Sequence, residues 1–120
     1  MAYVAACPEK YSGQVVGDGQ CVVFVEAVSG APHTALWKQG ALVKNSTIAV
    51  GTAIATFDPN GTYGNHTDGS SHGAIYVGQN AAGLQVWDQW TGQPVHQRTI
   101  RFQGGAALPA NDGDMFYVVE

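Results

Sequence analysis

Apolar positions along this chain fall into two regimes. The first is one dense block: Val22, Val23, Phe24 and Val25 run without a polar break, Ala27 and Val28 extend them, and Glu26 is the one charge before Gly30. The valines favour strand, because β-branched side chains fit a pleated surface. A strand with one wet face would alternate apolar and polar with a period of two, and this block does not. A segment apolar on nearly every side fits a helix buried in a core. Gly30 supplies the left-handed residue at which such a helix stops. The block therefore predicts a helix over residues 21–29. Thr34 to Gln39 predicts a shorter second helix, capped by Thr34, covering the core with Leu36 and Trp37, and ended by Gly40. Ahead of the block, Tyr3 to Ala6 form a short edge element ended by Pro8, and Tyr11 to Gln20 read as loop.

The second regime begins near Ile48 and consists of short apolar runs cut by turn signals. Residues 52–57 read as a strand, and Asp58-Pro59-Asn60-Gly61 is a turn. Residues 58–71 are a polar, glycine-rich loop with little to bury. Gly73 to Gly78 is a second strand, and Asn80 to Gly83 turns the chain. Leu84 to Asp88 is a third strand, with Leu84, Val86 and Asp88 on one face by alternation. Residues 95–102 make a fourth, Asn111-Asp112-Gly113-Asp114 a turn, and Met115 to Val119 the closing strand. Short spacings favour antiparallel hairpins, since parallel pairs need long crossovers. The expected class is α+β: N-terminal helices packed on one face of a curved antiparallel sheet of about five strands. No repeat, linker or low-complexity tract divides residues 1–120, so a single domain is expected.

Composition narrows the partners. Only 12% of residues are charged and 16 are glycine, which fits a loop-rich globular protein and not a coiled coil. The net charge is −4 and the 5 Lys and Arg are scattered, so the basic stripe of a nucleic-acid binder is missing. No apolar run approaches the ~20 residues that cross a bilayer. Met1 to Lys10 lacks the basic segment and long apolar core of a signal peptide, so no leader is expected. There is no His-Glu-x-x-His, no close histidine pair, and no paired cysteines; Asn111-Asp112-Gly113-Asp114 lacks the downstream ligands of a calcium loop. No metal or cofactor is expected. A Cys7–Cys21 disulfide is conceivable; otherwise Cys7 reads as a small buried apolar residue.

The candidate chemistry centres on Cys21. Gly17-Asp18-Gly19-Gln20 is a flexible lead-in that delivers the thiol to the first turn of the predicted helix. Unpaired N–H groups and the partial positive charge there favour a thiolate, the nucleophilic form. A thiol hydrolase also needs an imidazole and a group to orient it. Of His33, His66, His72 and His96, His72 stands out, because it opens the strand Gly73–Gly78 beneath a loop that leaves room for substrate. His33 and His66 lie in loops, and His96 in the polar stretch His96-Gln97-Arg98 is expected to face water. The orienting group is Asp88 or its neighbour Gln89; alternation lets only one face His72 and favours Asp88. The backbone N–H of Cys21, with Gln20 or the Tyr11–Gln14 loop, would hold an oxyanion, and Trp90 and Tyr63 would line a cleft. A cysteine among valines is commonly a core residue, and a histidine at a strand start is commonly structural. The three groups in the order Cys, His, Asp are what favour a site.

Gly19-Gln20-Cys21 opening an apolar helix, His72-Gly73-Ala74-Ile75-Tyr76-Val77-Gly78, and Val86-Trp87-Asp88-Gln89-Trp90 together resemble the NlpC/P60 and CHAP superfamily of papain-like peptidoglycan amidases. The chain looks closest to the small bacterial type VI secretion amidase effectors, in the subgroup that cuts peptide crossbridges and has relatives domesticated by ticks and mites. The resemblance runs from about Tyr3 to the Asp112-Gly113-Asp114-Met115-Phe116 segment. It implies a papain-like NlpC/P60 core and a thiol hydrolase acting on stem peptides. The bond is D-alanyl–meso-diaminopimelate in the crossbridge subgroup and γ-D-glutamyl–diaminopimelate in others. Cys21 carries over as nucleophile, His72 as base, and Asp88 falls at the superfamily's variable third polar position. Such effectors are made in the cytoplasm without a leader, secreted, and act in the periplasm of target bacteria. Their partners are peptidoglycan and a cognate immunity protein that plugs the cleft, with no nucleic acid or membrane; a monomer is expected. Rival readings are a phage or housekeeping wall hydrolase, an acyltransferase on the same fold, and a non-catalytic wall- or protein-binding module with an inert Cys21.

Overall fold

A computed structural model describes residues 2–120. The apolar block is helical: α1 spans Cys21–Ser29. Its fully buried Phe24 and Val25 pack against the sheet, and this burial overrides the strand preference of its valines. Gly30 ends α1 in the left-handed conformation (φ 76°), its N–H bonded to the Glu26 carbonyl at 3.1 Å.

Six strands follow: β1 Gln39–Leu42, β2 Ala53–Ala55, β3 Gly73–Gln79, β4 Gly83–Trp90, β5 Gln93–Arg101 and β6 Tyr117–Val119. They form one sheet in the order β1-β6-β2-β3-β4-β5, with every neighbouring pair antiparallel. The fold is thus α+β, with six strands where about five were expected. The additional strand is β1, in the region read as the end of a second helix. That helix is reduced to a single 3₁₀ turn, Thr34–Leu36, whose cap is His33: the Nδ1 atom accepts the Ala35 N–H at 3.2 Å. The segment at residues 3–6 contributes only a bridge between Val4 and Thr52.

Alternation sorts the strands onto two buried faces. Ala53, Ala55, Ile75 and Val119 meet α1 and Trp37. Ile54, Ala74, Tyr76, Leu84, Val86, Ile100 and Val118 form the opposite face with Val43 and Phe116. The chain leaving β5 is held by Asp112, whose fully buried carboxylate accepts N–H bonds from Gln103 (2.8 Å), Gly105 (2.6 Å) and Asp114 (3.0 Å). Cys7 and Cys21 are both free thiols, and Cys7 is exposed, not buried as expected. Among the described residues no helix is long and apolar enough to cross a membrane.

Candidate active site

Cys21 opens α1, half-buried at the floor of a cleft of about 630 Å³. Its lead-in loop is tightly packed. Gly17 sits at φ 58°, and a side chain there would run into Val23. Asp18 accepts the Gln20 N–H at 3.1 Å. The loop is then strapped to the sheet by Gln89: Oε1 accepts the Val16 N–H, and Nε2 donates to the Val16 and Gln20 carbonyls, each at 2.9 Å. Gln89 is fully buried on the α1 side of β4. It is therefore neither the group that orients His72 nor a cleft-lining residue; it positions the loop that carries the thiol.

His72 precedes β3 and is fixed through its backbone. Its N–H donates to the Thr56 hydroxyl at 3.0 Å, its carbonyl accepts the Thr56 N–H at 3.0 Å, and that hydroxyl donates to the Ser70 carbonyl at 3.1 Å. The imidazole Nε2 lies 2.7 Å from Asp88 Oδ2, which leaves Nδ1 as the ring nitrogen available to Cys21. Alternation along β4 explains the choice of orienter. Leu84, Val86 and Asp88 share one face, and Asp88 continues that row into the polar end of the sheet.

Two further side chains reach Asp88 from β5. The register pairs Asp88 with His96 and Val86 with Arg98. Arg98 Nε donates to Asp88 Oδ2 at 2.8 Å, and its guanidinium carbon stands 4.9 Å from the Trp90 ring centroid. His96 Nε2 is 3.1 Å from Asp88 Oδ1 but not aligned for a hydrogen bond, and its ring meets Trp90 edge-on at 5.1 Å. His96 thus turns toward the carboxylate with only 30% of its side chain exposed, not into water as expected. Neither Arg98 nor His96 was singled out from the sequence as a site residue. The signal was present in the β4–β5 hairpin, where residues 96 and 98 share the face of residue 88.

The electrostatics follow from this packing. Burial pushes the Cys21 thiol up, but the hydrogen bond and charge of His72, the Gly73 N–H and the Tyr63 hydroxyl outweigh it and leave the thiol below its ordinary range. Burial alone would neutralise His72; Asp88 and Cys21 reverse that and raise its pKa to about 9. Asp88 is pushed up by burial and pulled below the usual carboxylate range by His72 and Arg98. These shifts favour a thiolate–imidazolium pair on a permanent carboxylate.

Tyr63 interrupts the polar 58–71 loop and, against expectation, is buried there. Its ring packs on Trp37 (4.8 Å) and Phe57 (6.4 Å), and its hydroxyl stands 3.9 Å from Cys21 Sγ. Burial and the Cys21 charge push that phenol well above its ordinary range, so it stays a neutral donor. Gln20 and Trp90 line the cleft, and Tyr63 is not among its lining residues. Trp90 is 40% exposed, and its ring lies 6.3 Å from that of His72. His66, at the rim, pairs with Asp58 at 2.9 Å. Among the described residues no group of three His, Cys, Asp or Glu is arranged to hold a metal ion.

A thiol at a helix start, an imidazole and a buried carboxylate, held by one helix and two adjacent strands, define a site able to run acyl transfer through a cysteine. Known proteins share this chain's overall design. The solved structure of "Type 6 secretion amidase effector 2 (Tae2)" superposes with a TM-score of 0.85 at 34% identity, over 98% of this chain and 94% of that one. A "Type VI secretion amidase effector 2 protein" from Salmonella typhi is 33% identical over 114 residues, 84% of each chain. "Domesticated amidase effector 2" from Ixodes scapularis is 34% identical over 122 residues, 94% of this chain and 81% of that one. The family model of domesticated amidase effector 2 matches residues 1–119, and the chain belongs to that family.

Proposed function

We propose that this chain is a cysteine amidase that hydrolyses the D-alanyl–meso-diaminopimelate crosslinks of peptidoglycan. It would do so as a single papain-like domain of the NlpC/P60 kind spanning residues 1–120 and act as an antibacterial toxin. The observation that carries the reading is that the Cys21 thiol at a helix start and the His72 imidazole, which rests on the buried Asp88, line one open cleft. Membership of the amidase effector family supports the substrate class, and the relatives' names support delivery by type VI secretion. Such a toxin acts in the periplasm of its target, and its producer holds an immunity protein that covers the cleft.

In this mechanism the Cys21 thiolate attacks the scissile carbonyl and forms a carbon–sulfur bond. The oxyanion is held by the Cys21 backbone N–H and the Gln20 side-chain amide, which has no hydrogen-bond partner among the described residues. The carbon–nitrogen bond then breaks as His72 gives its proton to the leaving amine. A water molecule, deprotonated by His72, attacks the thioester, and the thiol leaves. Asp88 keeps the proton on Nε2 in the neutral stage, so that Nδ1 is always the atom facing sulfur.

The test is digestion of crosslinked diaminopimelate-type peptidoglycan, with fragments separated by chromatography and identified by mass. Crosslinked dimers should disappear and tetrapeptide monomers rise with the native chain and not with Cys21→Ala. Fragments bearing dipeptides would move the cut to the γ-D-glutamyl bond. No product from the folded native chain would overturn the enzyme reading in favour of a binding module.

A further inference from the structure

One permanent cation lines the cleft in a protein of net charge −4. None of its lining residues is Asp or Glu, and of the 5 Lys and Arg in the chain only Arg98 lines it. The pose of Arg98 is set from two sides, by Asp88 under Nε (2.8 Å) and by the Trp90 ring against the guanidinium (4.9 Å). Its outer nitrogens have no acceptor to match. Nη2 lies 3.4 Å from His72 Nε2, but that atom carries a proton when it donates to Asp88, so the two groups are both donors. Nη1 has no hydrogen-bond partner among the described residues. A planar cation with a fixed orientation and free N–H groups matches a carboxylate, which takes two parallel bonds from it.

The position of Arg98 also says which half of the substrate it meets. His72 must deliver its proton to the leaving nitrogen, so the departing residue lies over the imidazole. Arg98 meets that ring at Nε2, and the Trp90 ring, against which its guanidinium lies, is 6.3 Å from the imidazole. We infer that Arg98 binds a free carboxylate on the carbon that bears the scissile nitrogen, and so selects the leaving residue. The inference rests on the crosslink-cutting reading above. Diaminopimelate carries such a carboxylate beside the amine used in the crosslink; a lysine in its place carries none.

The test uses Cys21→Ala protein, which leaves the crosslink intact, and two synthetic peptide dimers joined through D-alanyl–diaminopimelate. One has the carboxylate beside the scissile nitrogen free, and the other has it as the carboxamide. Calorimetric titration should show the acid binding tighter by on the order of tenfold to a hundredfold, the range for hydrogen bonds to a charged group. Adding Arg98→Gln should erase the preference by weakening only the acid. Arg98→Lys, which keeps the charge and loses the fork, should retain part of it. Equal affinity of the Cys21→Ala protein for acid and amide would overturn the inference. A preference that survives in Arg98→Gln, with both dimers weakened alike, would overturn it too and leave Arg98 as a support for Asp88. The underlying reading fails separately, if the Cys21 enzyme does not cut the acid dimer that Cys21→Ala binds. Failure of both dimers to bind would overturn both.

Discussion

Replacing Gln89 with leucine tests how the thiol is held in place. The amide makes three bonds of 2.9 Å to the Val16 N–H and the Val16 and Gln20 carbonyls, and no other side chain supplies those partners. Leucine has a similar volume and leaves little cavity, so the cost is that of the hydrogen bonds. Val16 is only half-buried and Gln20 is exposed, so water can reach the freed groups and each bond counts at the neutral value of about 1 kcal/mol. The expected destabilisation is about 3 kcal/mol, which for a chain of this size is a fall in Tm of about 10 °C. Urea unfolding should show a lower midpoint at unchanged slope. Independently of stability, the loosened loop should slow iodoacetamide alkylation of Cys21 at neutral pH by on the order of tenfold or more. Gln89→Glu separates hydrogen bonding from shape. The introduced carboxyl faces two carbonyls, so its pKa in the folded chain rises above the ~4.3 of a free glutamic acid. The folded state then binds more protons than the unfolded one, and the variant loses stability as pH rises through that interval, whereas Gln89→Leu does not. A loss under about 0.5 kcal/mol in Gln89→Leu, with alkylation unchanged, would refute the strap.

Five further outcomes follow from the same geometry. Hydrolysis should have a bell-shaped pH profile whose alkaline limb falls near 9, where His72 loses its proton. The sign for stability agrees: protonated His72 contributes fully below the ~6.5 of a free imidazole and its contribution vanishes as pH rises through about 9, so urea midpoints should decline over that window. Asp88 acts at the other end; its contribution is present above the ~3.9 of a free carboxyl and is lost as pH falls through its lowered folded value, which acid unfolding of Asp88→Asn beside the native chain would show. Tyr63→Phe removes a donor to the thiolate, so the pH at which Cys21 becomes reactive to alkylation should move upward; an unmoved profile would remove Tyr63 from the site. Thr56→Val takes away the hydroxyl that fixes the His72 backbone, and kcat should fall about tenfold while KM stays near its native value.

The parts of this protein that repeat a short-range pattern were readable from the chain. The 21–29 helix was set by an unbroken apolar block ending in Gly30, and alternation along β4 separated Asp88 from Gln89. The edge strand β1 was not readable, because Gln39–Leu42 is largely exposed and carries no alternation; it exists only because β6 pairs with it. Tyr63 was expected to line the cleft and is instead a buried neighbour of the thiol, since a lone aromatic in a polar loop gives no sign of what it packs against. Arg98 and His96 were hidden for another reason. A polar strand looks solvated until its register is known, and that register, shifted by a bulge between Asp88 and Trp90, brings both to one carboxylate.

The strap between Gln89 and Val16 joins chain positions 73 residues apart. His72 and Asp88, which make Cys21 reactive, also lie far down the chain from it. In the unfolded chain Cys21 is an ordinary thiol, because nothing near it in sequence lowers its pKa. Reactivity therefore belongs to the folded chain, in which the start of β3 and the end of β4 bring His72 and Asp88 to the thiol. A chain held open carries an unactivated thiol. A proofread is built in as well: a misfolded copy has no working nucleophile.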